Sequence, residues 1–219
     1  MQLASVLLAR YFGLVPIEEL NLDGTLYYPE LIPALVDRYG FTKYPTSPET
    51  IDENKGVEFI GGRSGKRVIN KVTILDTGIY LDTSISTEAS EELWYELMEW
   101  AVARFGVTFN RDMVKRYVYV STITFHTDVP ILALDPILVQ IGEVAAAEVE
   151  RCFGRRLEYE PAGISIQYDQ QSTKLGTAPF TIQRREGVPF GDNKYFSTAP
   201  LKTNLHLELI ERLEKAMSR

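Results

Sequence analysis

Reactive side chains are scarce in this chain. Among 219 residues it has one cysteine, Cys152, and two histidines, His126 and His206. A lone cysteine closes no intrachain disulfide, which excludes a disulfide-stapled scaffold and fits a reducing compartment. Zinc needs three or four converging ligands, and one Cys with two His supplies too few. No metal and no cofactor is therefore expected. Positive charge is also in deficit: 23 Lys and Arg stand against 30 Asp and Glu, a formal net charge of −7, with a pI near 5.0. Phosphate backbones favour a basic field, so nucleic acid is not an expected partner. No apolar run approaches the ~20 residues of a membrane-crossing helix. The stretch Met1–Arg10 also lacks the basic start of a signal peptide. These absences point to a soluble, cytoplasmic protein with no membrane partner.

What is present is ordinary globular material, 45% apolar and 24% charged, enough to bury a core. Residues 1–55 read as a helical or irregular lead-in, with a short helix from Pro29 to Gly40 and a linker from Pro45 to Lys55. Residues 56–219 read as one α+β domain. Val57–Ile60, Val68–Leu75 and Ile79–Ile85 are separated by glycine-containing turns, the pattern of an antiparallel meander. Thr87 is the expected cap of a helix whose Trp94, Leu97, Met98, Ala101 and Phe105 share a face, with Gly106 at its end. Tyr117–Phe125, dense in β-branched and aromatic residues, predicts a strand. Asp135 and Pro136 open a second helix with Ile137, Ile141, Val144, Ala145, Val149 and Cys152 as its buried stripe, closed by Gly154. Leu157–Tyr159, Ile164–Tyr168 and Phe180–Arg184 read as strands, and Gly187–Pro200 as a loop. A last helix begins at Thr203, with Leu205, Leu209, Leu213 and Met217 recurring every fourth residue. Hairpins outnumber βαβ units, so the expected fold is α+β, a largely antiparallel curved sheet with three amphipathic helices on one face. No internal repeat is visible in the sequence.

The motifs that carry chemistry are incomplete. Gly61-Gly62-Arg63-Ser64-Gly65-Lys66 resembles a phosphate loop only in part: Ile60 stands where the first glycine belongs, and Arg67 where Ser or Thr should follow the lysine. A hairpin turn explains it. Asp169 with Asp192-Asn193-Lys194, or the triplet Glu53-Asn54-Lys55, offers the residue types of a nuclease metal site, but in loops rather than on strands. No Gly-x-Ser-x-Gly elbow occurs. Cys152 falls on an apolar helix stripe, where cysteine behaves as a small hydrophobe. His126 and His206 read as surface or capping residues.

Contact chemistry is better represented. The doublets Arg155-Arg156 and Arg184-Arg185 flank expected strands, and arginine forks suit carboxylates or phosphates, although salt bridges within an acidic protein explain them too. Beside the second doublet, Phe190, Tyr195 and Phe196 crowd a loop, and aromatics with arginine dominate protein interfaces. Arg63, Arg184, Arg185, Phe190, Tyr195 and Phe196 are therefore the candidate anion- or partner-binding residues. The expected function is non-catalytic: self-association or membership of a larger assembly. Two alternatives stand beside it. One is a metal-dependent hydrolase or nuclease with dispersed carboxylates such as Glu58, Asp76 and Asp82. The other binds a small anionic ligand or nucleotide on Arg63, Arg184 and Arg185.

Overall fold

A computed structural model describes residues 1–24, 26–46, 56–169 and 176–218. Strand β1 (Gln2–Leu14) leads to a one-turn helix α1 (Ile17–Leu20) and to α2 (Tyr28–Tyr39). The strands β2 (Val57–Ser64), β3 (Arg67–Leu75) and β4 (Gly78–Thr83) follow, then helix α3 (Thr87–Phe105). Strand β5 (Arg116–His126), helix α4 (Pro136–Phe153), strands β6 (Gly163–Ile166), β7 (Phe180–Arg184) and β8 (Lys194–Ala199), and helix α5 (Thr203–Met217) complete the chain. The fold is α+β, and the strands form one open antiparallel sheet in the order β2-β3-β4-β1-β5-β8-β7-β6. Apart from α1, the succession strand, helix, three strands, helix occurs twice.

Contacts gather the chain into two compact units. The first comprises Val6–Ser121 with Leu201–Thr203, so residues on both sides of position 55 pack together. Its strands β2, β3 and β4 form the expected meander, turning at Gly65-Lys66 with the glycine in first place, where a positive φ of 59° is required. Register aligns Tyr11, Leu81, Val72 and Phe59 across four strands, and all four are core residues. Trp94 of α3 lies flat against Gly13; a Cβ there would sit 2.5 Å from the indole. The indole N–H donates to the Ile79 carbonyl at 3.0 Å. Gly78, at φ 155°, approaches the Gly13 carbonyl so closely that a Cβ would lie 2.3 Å from it.

The second unit comprises Met1–Ser5, Thr122–Pro200 and the chain from Asn204. Ile123, Phe125, Ile131, Leu132, Ile182, Tyr195 and Ile210 are among its buried apolar residues, and Phe125 stacks on Tyr195 with centroids 5.7 Å apart.

Several expectations are corrected. Residues 2–14 form a strand rather than a helical or irregular lead-in; Ala9, Tyr11 and Gly13 are buried while Arg10 and Phe12 alternate with them. Both faces of β1 carry apolar side chains, which hides the two-residue period. The stretch expected to be loop contains β8, whose Tyr195, Ser197 and Ala199 point inward. Leu157–Tyr159 is not a strand. Ser86 rather than Thr87 caps α3, accepting from the Ala89 N–H at 3.1 Å. In α5 the buried positions are Thr203, His206, Ile210 and Glu214 rather than the leucine series. Most of the expected linker, residues 47–55, lies outside the described residues.

Candidate functional site

Helix α4 starts and stops as its sequence dictates. The Asp135 carboxylate accepts from the Ile137 N–H at 2.7 Å, Pro136 takes the first position, and Gly154 closes the helix in the left-handed region at φ 69°. The face it buries is unusual. Only Gly142 and Ala146, one turn apart, are buried. Gly142 packs so tightly that a Cβ would lie 2.4 Å from the Tyr159 carbonyl oxygen. Backbone approach of this kind admits only small side chains on the inner strip, so the bulky ones turn outward. Ile137, Ile141 and Val144 are 62%, 59% and 65% exposed, and Leu138, Val139 and the terminal Phe153 are exposed as well. The expected buried stripe is thus largely outside, and Cys152 is exposed with it. Its Sγ lies 3.6 Å from the Glu148 carboxylate, which is not the electropositive setting that activates a thiol.

An exposed aliphatic side chain on a globular surface is ordinary, but a contiguous set on successive turns of one helix is not. Ile137, Ile141 and Val144 have spacings of four and three, which put them on one face. The first ionic pair on that side is Glu148 with Arg151, both exposed, near the C-terminal end. This patch is the strongest candidate contact surface among the described residues.

The residues singled out from the sequence are placed differently. The Arg184 side chain is only 8% exposed. It pairs with Glu160, donates to the Phe190 carbonyl at 3.1 Å, and lies over the rings of Phe190 and Tyr195 at 4.6 and 5.5 Å. It therefore acts as an internal clamp that ties Glu160 to the β7–β8 hairpin. Tyr195 is fully buried, while Phe190 and Phe196 are half-buried. Arg185 is exposed, and its backbone N–H donates to the Lys194 carbonyl at 2.9 Å. Arg63 is exposed near the tip of the β2–β3 hairpin and belongs to the first unit, whereas Arg184 and Arg185 belong to the second. Arg156 pairs with Glu143 and, at 3.3 Å, with Glu150.

Of the carboxylates weighed for a metal, two already hold cations. Asp82 accepts two hydrogen bonds from the Arg10 guanidinium, each at 2.7 Å, and Glu58 accepts from Lys71 at 2.8 Å. Arg10 also lies over the Tyr80 ring at 4.8 Å, and Tyr80 stacks on Phe12. Burial lowers the guanidinium's pKa, but the bond to Asp82 outweighs it and the net shift is upward. No group of three or more His, Cys, Asp and Glu is placed to hold a metal among the described residues. The Glu53-Asn54-Lys55 triplet lies outside them.

One histidine–serine pair escaped the sequence reading. Ser197 Oγ and His206 Nε2 are 2.8 Å apart, and both residues are fully buried. Resemblance to a nucleophile and its base ends with the protons. Ser197 donates its only proton to the Thr181 carbonyl at 2.6 Å, so Nε2 must carry a proton and donate to Oγ. A histidine that donates to the hydroxyl cannot deprotonate it. Burial drives the imidazole pKa down to about 4, so the ring is neutral at pH 7. This pair is a core polar contact, legible in the sequence only as a histidine one turn before Ile210. No known protein family and no curated protein matches the chain.

Proposed function

We propose that the protein works by contact rather than by catalysis, and that it pairs with a second copy of itself through the exposed face of α4. The observation that carries this reading is the outward set Ile137, Ile141 and Val144, each about three-fifths exposed or more. An apolar face is complementary to itself, which is what a two-fold interface requires. In an antiparallel pairing centred between Ile141 and Val144, Arg151 of one copy approaches the Asp135 end of the other. The opposed helix termini then attract. Burying three side chains exposed to this extent gains ~1–2 kcal/mol each. The patch is small, which suits a reversible rather than a permanent dimer.

The hydrolase and anion-binding readings draw less support, because Asp82, Glu58 and Arg184 are committed to partners within the chain. Size-exclusion chromatography with light scattering tests the proposal. The native protein is expected to dimerise in the micromolar range, and Ile141→Glu to be a monomer with unchanged circular dichroism. A native protein that stays monomeric at 100 μM (a concentration ~100-fold above a micromolar Kd) refutes self-association.

A further inference from the structure

The first unit contains a second feature, independent of α4. A cavity of about 280 Å³ lies between α2, α3 and the strands that carry Ile74 and Ile79. Ile17, Leu31, Leu97, Trp100 and Val107 are among its walls. Protein interiors rarely leave voids larger than a water molecule. An apolar hole of about 150 Å³ already stays dry and takes up benzene, and this one is larger. Three fixed points keep it from collapsing. The Ile17 N–H donates to the Asp76 carbonyl, and the Thr108 N–H to the Leu20 carbonyl, both at 2.9 Å. The Asn21 carboxamide both donates to and accepts from the backbone of Leu26, at 2.9 and 3.1 Å. Ile17, Leu20 and Leu26 cannot move inward without breaking these bonds.

The chemistry of the lining selects the occupant. No Lys, Arg, His, Asp or Glu is in it, so a carboxylate, phosphate or ammonium would enter unpaired. Asn21 is spent on Leu26. Besides Asn21, the polar side-chain groups of the lining are the phenols of Tyr27 and Tyr28, 63% and 36% exposed, and the indole N–H of Trp100. Burial, and secondarily the charge of Asp76, raises the Tyr28 pKa, which keeps its hydroxyl protonated and able to donate. We infer that this cavity is a binding site for a small uncharged molecule, mainly hydrocarbon, with one hydroxyl, ester or amide end at Tyr27 and Tyr28. At about 30 Å³ per water-sized group, the space holds a body of about nine carbons.

Linear 1-alkanols test this on the full chain, read by tryptophan fluorescence (Trp100 lines the cavity) and by thermal shift. Affinity is expected to tighten about fourfold per methylene and to stop improving near nine carbons. Octanoate and octylammonium are expected to bind at least ~10-fold more weakly than 1-octanol, an unpaired charge being the worse occupant. Ala101→Phe, which adds six carbons to the cavity from α3, should keep the circular dichroism and lose the octanol response; if it does not fold, Leu31→Phe, which adds three from α2, should weaken octanol and move the chain-length limit from about nine carbons to about six. The inference is overturned by no response to any alkanol, by affinity that keeps rising past dodecanol, by octanoate binding as tightly as octanol, or by an unchanged response in the filled variant.

Discussion

The buried His206 sets a pH dependence that can be worked out in advance. Its imidazole is neutral in the folded protein because burial lowers its pKa to about 4, whereas in the unfolded chain it titrates near 6.5. Above pH 6.5 both states carry a neutral ring and the group contributes no slope. Below it the unfolded chain binds a proton that the folded core refuses, so stability falls as the solution is acidified. The fall continues until pH 4, where the folded ring accepts the proton too. One pKa unit corresponds to ~1.4 kcal/mol, which gives a loss of ~2 kcal/mol between pH 8 and pH 5 and ~3 kcal/mol by pH 4.

Urea unfolding at pH 8, 7, 6 and 5 measures this, with His206→Gln as the comparison. The glutamine amide still offers Ser197 an N–H donor but carries no titratable proton. What decides the matter is the slope: the native protein should lose ~2 kcal/mol more than the variant over that range, the remaining titrations being common to both. Only two histidines are present, so an NMR titration assigns the native value directly even if the variant folds poorly. Parallel stability curves, or the His206 imidazole titrating near 6.5 in the folded protein, would refute the burial argument.

Other substitutions test the frame more simply. Gly13→Ala should destabilise by ~1–3 kcal/mol, because the added methyl meets the Trp94 indole at 2.5 Å; near-UV circular dichroism reports the displaced ring. Asp82→Ala strips Arg10 of two charge-assisted bonds and should cost ~2 kcal/mol in urea unfolding. Phe153→Ser, at a side chain 81% exposed, should leave the unfolding midpoint within ~0.5 kcal/mol of native.

The meander, α3 and β5 were legible because their signals agree. The glycine turns, the two-residue alternation over Ile79–Ile85 and the run Tyr117–Phe125 each favour a strand or the turn beside it, and strands β4 and β5 form there. Strand β8 was missed because Pro189, Gly191 and Asn193 mark a turn so strongly that Lys194–Ala199 was absorbed into it. The true turn is the short 3₁₀ segment Phe190–Asp192, with Asn193 in the left-handed region at φ 44°. His206 was missed because hydrophobic periodicity assigns polar residues to the outside. Its burial follows from a partner, Ser197, that only the β8–α5 connection reveals. The exposure of α4 has the same origin: periodicity finds an apolar arc but does not say which part of it is covered. The clue available was the small-residue strip Gly142–Ala146, which signals backbone approach and not a bulky core face.

The repeated element order makes that exposure informative. Thr87 and Thr203 open the last helix of each succession, and each accepts at its hydroxyl the backbone N–H of the other, at 3.0 and 2.7 Å. Counting from these residues, Ser90 corresponds to His206 and Trp94 to Ile210, and all four are buried. Such pairs share place but not identity, which is why no repeat shows in the sequence. The first long helix of each succession breaks the parallel. In α2, Leu35 and Tyr39 enter the core and Leu31, Ile32 and Val36 pack against it. In α4 the equivalent aliphatic wealth faces outward over an inner strip of Gly142 and Ala146. If its bulky residues served only to fill the interior, α4 would turn them inward as α2 does. A helix that touches its own unit through glycine and alanine leaves its larger side chains uncovered, and this contrast is what supports the proposed self-association.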